Sequence, residues 1–377
     1  MKTNPVSETR ASAASNHPPL SCFPYLGGFG QSEWIGVGLF LLMLVAIYLL
    51  HLPLIVQVGL MILTLIKASS MLGKGTEEIA NHYSPSIGGL LNASFGNLAE
   101  LIITFFAIRA GLIEIAKAAI TGAIMGNALM VLGIAIIVGG FKRKEMELDS
   151  KEANMTSTML AMAVLLLLLP SALFLFHEQT YEKEVSIAAA SIMLVIYFAS
   201  LVFSLYTHKE WFASAPHEEP KLGRGDALLL MLVSILMLGV ASESFASNLE
   251  NLAQQFGLTE LFIGAVLVGI AGSAEHLSAI TFAAKDKMSL AMSITIGSAL
   301  QLAMLVAPLL VFLALFFQGS GPYHSPIAFL PIEIFAILSS VYLINEIARD
   351  GRVNWLEGLQ LLALYVGLAV LFFFYHG

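Results

Sequence analysis

The sequence is poor in cysteine and in charge. Its 377 residues include one cysteine, Cys22, and only 12% are Asp, Glu, Lys or Arg. A single cysteine excludes an internal disulfide framework and a cysteine cluster for a soft metal ion. So little charge beside 58% hydrophobic residues excludes an ordinary soluble domain. We therefore expect an integral membrane protein that contacts the lipid bilayer and has no nucleic acid partner.

The N-terminus lacks the continuous apolar core of a cleavable signal peptide. Residues 1–33 are polar, and they predict a soluble tail. Beyond them, apolar runs continue almost to the C-terminus, and crossing the bilayer takes about 20 residues. The fold class predicted is all-α, with about 11 transmembrane helices. The candidate spans are approximately 34–50, 54–82, 86–110, 113–140, 155–176, 185–207, 226–255, 260–284, 288–317, 326–347 and 353–375.

Two stretches of the chain repeat each other without gaps at an offset of 175 residues, which places Glu100 on Glu275 and Gly122 on Gly297. This divides the chain into an extra first helix (34–52), a first repeat (53–207), a cytoplasmic linker (208–225) and a second repeat (226–377). Each repeat holds five spans, an odd number, so the second enters the membrane from the opposite face. Inverted repeats of this kind bind their substrates near the midplane.

The duplicated glutamates are the main candidates for the working site. An ionisable group at membrane depth costs roughly 2.5–3.5 kcal/mol on insertion scales, so such a group usually lines a cavity and binds ions or protons. Gly96 precedes Glu100 and Gly272 precedes Glu275, and glycine weakens a helix. We therefore predict a helix break at each carboxylate, with close helix packing as the alternative role for the glycines.

Further oxygen atoms accompany the glutamates. Asn97 lies on the same helical face as Glu100, and the neighbouring spans carry Asn127, Ser298 and Gln301. Carboxylate, amide and hydroxyl oxygens are hard ligands that suit Ca²⁺, Na⁺ or Mn²⁺. The alternative is that each amide or hydroxyl only links helices through hydrogen bonds. We expect no cofactor, since the cation would be cargo.

A second acidic pair, Glu78 and Glu243, lies in the first long helix of each repeat and is predicted to line the paths to the site. For Glu78 an ion pair with Lys74, four residues earlier, is the alternative. His276, next to Glu275, is a candidate proton relay, although such a histidine more often hydrogen-bonds a neighbour.

The distribution of basic residues predicts the orientation, because short cytoplasmic loops are enriched in Lys and Arg. With the N-terminus in the cytoplasm, thirteen of the 18 Lys and Arg fall on the inner side. Only Arg109, Lys117 and Lys183 fall outside, and Lys67 and Lys74 lie within the second span. We predict a cytoplasmic N-terminus and, with eleven spans, a C-terminus outside.

These segments resemble a known family. GGLLNASFGNLAELIITFFAIRAG is similar to the first signature repeat of the cation/proton exchangers, the Ca²⁺/H⁺ antiporter branch of the Ca²⁺:cation antiporter superfamily. GSAEHLSAITFAAKDKM and GSALQLAMLVAP resemble its second repeat, and GTEEIA, ASES and NWLEGLQLLALY resemble its flanking segments. The resemblance covers nearly everything from the second span onward.

The chain departs from the family pattern at two places. The second repeat usually reads Gly-Asn-Ala-Ala-Glu-His, whereas Gly272 stands here in place of the asparagine. One candidate ligand is lost unless Ser273 compensates. In the first repeat, the pattern Gly-Ser-x-x-Ser-Asn is replaced by residues 122–127, GAIMGN, which drops two hydroxyls. The resemblance implies the exchanger architecture, and the departures bear on ion affinity and selectivity.

The resemblance implies a secondary transporter that exchanges Ca²⁺ for H⁺ by alternating access. A carboxyl group shielded from water favours its neutral form, and a bound divalent cation favours the charged form, so Ca²⁺ and protons should compete for Glu100 and Glu275. The alternatives are a Na⁺-coupled Ca²⁺ exchanger, an antiporter of Mn²⁺ or Na⁺ for protons, and a cation channel. Proton coupling is favoured, because the Na⁺-coupled relatives carry more hydroxyls and an aspartate where this chain has residues 278–281, SAIT.

An enzyme is not expected, since the sequence contains no nucleophile and base pair and its histidines are scattered. Compactness suggests the plasma membrane of a prokaryote, with a vacuolar membrane as the alternative. The sequence leaves open the physiological ion, the stoichiometry and the oligomeric state, a homo-oligomer included.

Overall fold

The computed structural model describes residues 30–50, 52–83, 85–175, 181–208, 219–317 and 325–375, and most of them are helical. A helix satisfies its own backbone hydrogen bonds, which a bilayer requires. The first half of the chain forms α1 (Gln31–Tyr48), α2 (Leu54–Ala80), α3 (Pro85–Phe95), α4 (Leu98–Arg109), α5 (Ile113–Met125), α6 (Leu132–Gly140), α7 (Ser150–Leu167), α8 (Leu169–Leu175) and α9 (Glu182–Val202), with π-helical turns at Gly126–Val131 and Phe203–Thr207.

The second half has a similar order of helices and broken helices. It forms α10 (Arg224–Phe256), α11 (Glu260–Phe262), α12 (Gly269–Ser273), α13 (Ser278–Ala284), α14 (Met288–Gln301), α15 (Ala307–Phe317), α16 (Pro331–Asp350) and α17 (Trp355–Phe374), with π-helical turns at Ile263–Val268 and Leu302–Val306 and a 3₁₀ turn at Ala274–His276. The fold is all-α as predicted, apart from one antiparallel ribbon of two residues per strand, β1 (Met146–Glu147) with β2 (Arg352–Val353).

Each of the eleven predicted spans coincides with helical structure, but not all are single straight helices. In the described part of the chain, eight helices are long and apolar enough to cross a membrane, and the bent pair Glu260–His276 and Ser278–Ala284 makes a ninth. The remaining two predicted spans correspond to the interrupted pairs α3 with α4 and α7 with α8. The number eleven therefore stays a prediction. Most of the predicted tail and residues 209–218 of the predicted linker lie outside the described residues.

The internal repeat is visible in the packing. The π-helical turns at Gly126–Val131 and Leu302–Val306 begin 176 residues apart, close to the offset of the sequence repeat. Helix α4 packs on α10, and its counterpart, the 3₁₀ turn Ala274–His276, packs on α2. Likewise α6 packs on α17, and α15 packs on α9. These contacts place the two duplicated glutamates between the repeats.

Helix α1 is attached to the first repeat through polar contacts that also explain the lysines of α2. Lys74 Nζ lies 2.8 Å from Glu33 Oε1, and Glu33 is buried. Two turns earlier on the same face of α2, Lys67 Nζ donates to Ser32 Oγ over 2.5 Å. Both lysines therefore point toward the start of α1, and the extra helix packs along α2.

Candidate functional site between the two repeats

Glu100 and Glu275 lie together in the interior, each at an interruption of a helix. Glu100 is in the first turn of α4, directly after the break at Gly96 and Asn97. Glu275 lies within the 3₁₀ turn, where the chain bends by 54°. Both side chains are buried, with 4% and 8% exposure, and their carboxyl groups are close enough to repel each other when both are charged.

The carboxyl oxygens of both glutamates are poorly satisfied. Among the described residues, no group makes a well-formed hydrogen bond to either oxygen of Glu100 or of Glu275, although the N–H of Glu100 lies near its own carboxyl group and the backbone of Ala99 lies near that of Glu275. A buried carboxylate without a counter-charge or a donor is costly, so each group must either carry a proton or bind a cation. Two such carboxyl groups side by side suit two protons or one divalent cation.

A chain of hydrogen bonds joins the four predicted supporting residues on one side of the glutamates. Asn97 Nδ2 donates to Gln301 Oε1 over 2.5 Å, and Ser298 Oγ donates to Asn97 Oδ1 over 2.6 Å. Ser298 Oγ in turn accepts from Asn127 Nδ2 over 2.8 Å. This network spans both repeats, so it fixes the geometry of the break beside Glu100. The predicted grouping of these residues is thus what the structure contains, although their role as ligands stays a prediction.

Two buried oxygens near the network make no hydrogen bond to the described residues. In the described part of the chain, Asn127 Oδ1 and Ser273 Oγ have no hydrogen-bond partner, and both residues are fully buried. Ser273 lies against Gly126, where any side chain would overlap its hydroxyl group. Gly126, which stands where the family pattern has serine, therefore makes room for the Ser273 hydroxyl. The changes from the family pattern at Gly126 and at Ser273 therefore occur at two residues that contact each other.

Gly272 has a packing role that was not predicted. It is the next-to-last residue of α12, which passes into the 3₁₀ turn at Ala274, and the 54° bend comes after His276. A Cβ atom at position 272 would lie 2.7 Å from Cγ of Glu100. The glycine thus makes space for the Glu100 side chain. Gly96, in contrast, does lie at the break between α3 and α4, as predicted.

His276 is buried beside the break in the other repeat. Its ring is within hydrogen-bond reach of the backbone of Gly96, while its Nδ1 atom has no partner among the described residues. The imidazole therefore links the two interrupted helices. This contact corresponds to the alternative considered for His276, and a role as proton relay stays a prediction.

The second acidic pair lies away from the central carboxyl groups. Glu78 is buried, and its Oε2 accepts from the backbone N–H groups of Lys221 and Leu222 over 2.8 and 3.0 Å. Since Lys74 pairs with Glu33, the structure contains no ion pair between Lys74 and Glu78. Glu243 is exposed and lies 3.7 Å from Arg109 Nη1. Glu78 thus fastens the segment before α10 to α2, and pathway roles for both residues stay predictions.

Two hydroxyl residues of α2 near the site, Ser69 and Thr76, were not predicted from the sequence. A Cβ atom at Gly73 would lie 2.6 Å from the carbonyl oxygen of Glu275, so this face of α2 contacts the site. Ser69 and Thr76 share that face at i−4 and i+3, are buried, and have no partner among the described residues. Other buried helical hydroxyls bond a carbonyl one turn earlier, namely Thr104, Thr121, Ser234, Thr295 and Ser340. The i, i+4, i+7 spacing of Ser69, Gly73 and Thr76 places them on one face of α2, and this pattern could have identified them from the sequence.

The two halves of the molecule differ in how closely their helices pack beside the site. Helix α5 packs tightly on the π-helical turn Ile263–Val268, where a Cβ atom at Gly264 would lie 2.6 Å from the carbonyl oxygen of Ile115. A Cβ atom at Gly122 would overlap the backbone of Ala265. At Gly297, the repeat counterpart of Gly122, a Cβ atom would meet nothing within 4 Å among the described residues. The interface between α5 and residues 263–268 is therefore closely packed, and we call it the closed seam. The corresponding region around Gly297, between α14 and α3, is loosely packed among the described residues, and we call it the open seam.

The chemistry of the site is that of oxygen ligands. The described residues contain no cluster of three or more His, Cys, Asp or Glu side chains that could hold a resident metal ion. Two carboxyl groups with amide and hydroxyl oxygens suit a hard cation that binds and leaves.

Comparison with known proteins agrees with this geometry. The family described as sodium/calcium exchanger protein matches residues 53–206 and 227–374. The Ca²⁺/H⁺ antiporter ChaA of Bacillus subtilis (strain 168) is 38% identical over 333 residues, which cover 86% of this chain and 94% of that protein. The Ca²⁺/H⁺ antiporter of Synechocystis sp. is 38% identical over 336 residues, covering 83% of this chain and 89% of its own length.

A solved structure also matches. The structure of native YfkE superposes with a TM-score of 0.79 at 35% identity, and the match covers 91% of this chain and all of that chain. The two matched family segments coincide with the two halves of the fold, and each half contributes one carboxyl group to the pair.

Proposed function

This chain belongs to the sodium/calcium exchanger protein family, and on that premise we propose that it exchanges Ca²⁺ for protons across a membrane. The observation that carries the proposal is the pair of buried carboxyl groups, Glu100 and Glu275, whose oxygens make no well-formed hydrogen bond in the described part of the chain. The antiporters of Bacillus subtilis and Synechocystis, named for Ca²⁺ and H⁺, support this choice of ions.

Competition for the carboxyl pair provides the coupling. Two protons or one Ca²⁺ each neutralise Glu100 and Glu275, and either loaded form is tolerable at membrane depth. The empty pair carries two negative charges that are shielded from water and repel each other, so its passage through the closed state is costly. The protein therefore changes its open side when loaded, and this enforces exchange rather than leak.

The open and closed seams provide the alternating access. With the predicted cytoplasmic N-terminus, the closed seam between α5 and residues 263–268 faces outside, and the open seam beside Gly297 faces the cytoplasm. The opposite state would close α3 on α14 and separate α5 from its partner. The carboxyl pair stays in place between the repeats during this movement, while one seam opens and the other closes.

The supporting network should set the affinity for the cation. We expect Ser298→Ala to lower the apparent Ca²⁺ affinity about tenfold, because it removes the hydroxyl that bonds both Asn97 and Asn127. Thr295→Val is the matched control, since the Thr295 hydroxyl bonds only carbonyl groups of α14. The measurement is the Ca²⁺ dependence of transport. Equal effects of the two substitutions would contradict the role of the network.

The proposed function is tested by Ca²⁺ uptake into proteoliposomes with an imposed pH gradient, without and then with Na⁺. We expect uptake that requires the pH gradient and does not respond to Na⁺. Uptake that follows a Na⁺ gradient would favour Na⁺ coupling, and uptake without proton movement would favour a channel. If no Ca²⁺ moves, the proposal fails for this ion, and the assay is repeated with Mn²⁺ and Na⁺.

The membrane and the orientation of the chain are inferred from the same family membership. We infer residence in the plasma membrane of a prokaryote, with the N-terminus in the cytoplasm. The bacterial relatives support this inference, and the vacuolar cation/proton exchanger 2 of Arabidopsis thaliana, 31% identical, marks the alternative. Thiol labelling of single cysteines placed at positions 145 and 260 in a Cys22→Ser background tests the orientation.

A further inference from the structure

A second polar cavity lies away from the carboxyl pair, between the first turns of α7 and α14. Its volume is about 10 Å³, enough for one water-sized occupant. It lies at the end of the molecule where β1 and β2 pair, which the positive-inside pattern assigns to the cytoplasm. The cavity is lined by Leu148, Asp149, Glu152, Ala153, Thr156, Ser289, Met292, Ser293 and Ile296.

Glu152 is the buried acid of this cavity. Glu152 is only 7% exposed, and its Oε1 accepts from Ser293 Oγ over 2.5 Å. Its Oε2 has no hydrogen-bond partner among the described residues. Within the described ranges, no Lys, Arg or His lines the cavity. The carboxylate therefore lacks a protein counter-charge on the side that faces the cavity, and a bound cation would supply it.

The rest of the lining provides further oxygen ligands. Ser289 and Ser293 lie one turn apart on α14, and Ser289 Oγ accepts from the backbone N–H of Asp149 over 2.9 Å. Thr156 lies one turn after Glu152 on α7, and Asp149 is exposed at the mouth of the cavity. The carboxylates of Glu152 and Asp149 and the three hydroxyls are hard oxygen ligands of the kind that a divalent cation prefers. Asp149 Oδ1 also caps α7 by accepting from the N–H groups of Lys151 and Glu152.

We propose that the cavity between α7 and α14 is a second divalent-cation site, with Glu152 as its buried ligand. It is separate from the carboxyl pair at Glu100 and Glu275, and it does not depend on the proposed exchange reaction. An ion there would join α7 to the first turns of α14, the helix that also carries Ser298 and Gln301 of the central network. Occupancy on the cytoplasmic side would thus restrain a helix that lines the transport site.

The test separates the two sites by removing the central one. The purified chain carrying Glu100→Gln and Glu275→Gln is titrated with radioactive Ca²⁺ at equilibrium, with no gradient. We expect about one Ca²⁺ bound per chain in this background and at least tenfold weaker binding when Glu152→Gln is added. Glu147→Gln is the matched control, because Glu147 is exposed in β1 and does not line the cavity. It should leave the remaining Ca²⁺ bound.

Two results would overturn the site. One is the absence of bound Ca²⁺ in the double variant with Glu152 intact, and the other is binding that survives Glu152→Gln. Ser289→Ala, which leaves Glu152 and its bond to Ser293 in place, checks the conclusion in a second way and should weaken binding several-fold. Each variant is compared by melting temperature, so that loss of folding is distinguished from loss of the ion. A failure of exchange activity would leave this equilibrium measurement unaffected.

Discussion

Glu275→Gln and Glu100→Gln will each reduce Ca²⁺ uptake driven by a pH gradient by at least 100-fold. Glutamine keeps the size of the side chain but can neither bind a proton nor balance the charge of Ca²⁺. Each substitution leaves one carboxyl group, which cannot neutralise a divalent cation or exchange it for two protons. The measurement is the initial rate of Ca²⁺ uptake into proteoliposomes at equal protein density.

Glu333→Gln is the matched control for this prediction. Glu333 is also a buried acid in an apolar helix, but its Oε1 accepts from Thr121 and its Oε2 accepts from the N–H of Leu330. We expect uptake within about threefold of the native rate. A Glu275→Gln protein that still exchanged Ca²⁺ for protons at the native rate would refute the shared-carboxyl scheme.

Stability should change in opposite directions in the same variants. At Glu100 and Glu275 glutamine removes a buried carboxyl group that makes no well-formed hydrogen bond to the described residues, so we expect the melting temperature at pH 8 to rise by a few degrees. At Glu333 it replaces one of two accepting oxygens by an NH₂ group, which cannot accept, so one of the two hydrogen bonds is lost and the melting temperature should fall. A binding site that is costly to the folded state is a common trade of stability for function.

Gly297→Ala will slow exchange about tenfold or more without lowering the melting temperature. In the present state the position has free space, so the methyl group costs nothing. In the opposite state α14 would close on α3 as α5 now closes on residues 263–268, and the methyl group would meet that seam. The substitution should therefore hold the protein with its cytoplasmic side open.

Gly122→Ala is the counterpart with the opposite expectation. A methyl group there overlaps the backbone of Ala265 in the present state, so we expect a lower melting temperature together with loss of exchange. Labelling from the cytoplasmic side of a cysteine placed at Ser94 of α3, which is exposed in the present state and would be covered when α3 closes on α14, reports which side is open. It should stay fast in Gly297→Ala and become slower in Gly122→Ala. Equal behaviour of the two glycine variants would contradict alternating closure of the two seams.

The sequence by itself determined the class of the protein and the centre of its site. Long apolar runs can only be membrane helices, because a bilayer leaves no other way to satisfy the backbone. The offset of 175 residues then paired Glu100 with Glu275, and hard oxygen ligands at helical spacing pointed to Asn97, Asn127, Ser298 and Gln301. All of these residues do meet between the repeats, because the repeated helices pack in repeated contacts.

Only the tertiary structure decided how neighbouring side chains use the space. Gly272 looks like a helix breaker in the sequence, yet it makes space for Glu100 from another helix. The sequence allows Glu78 to pair with Lys74 as the alternative to a pathway role, yet Lys74 pairs with Glu33 on α1 and Glu78 accepts from backbone N–H groups before α10. Repeat symmetry also predicts equal surroundings for Gly122 and Gly297, which the open and closed seams make unequal. The reason is the same in each case: these contacts join residues far apart in sequence, and helical periodicity reports only which face a residue lies on, not what packs against it.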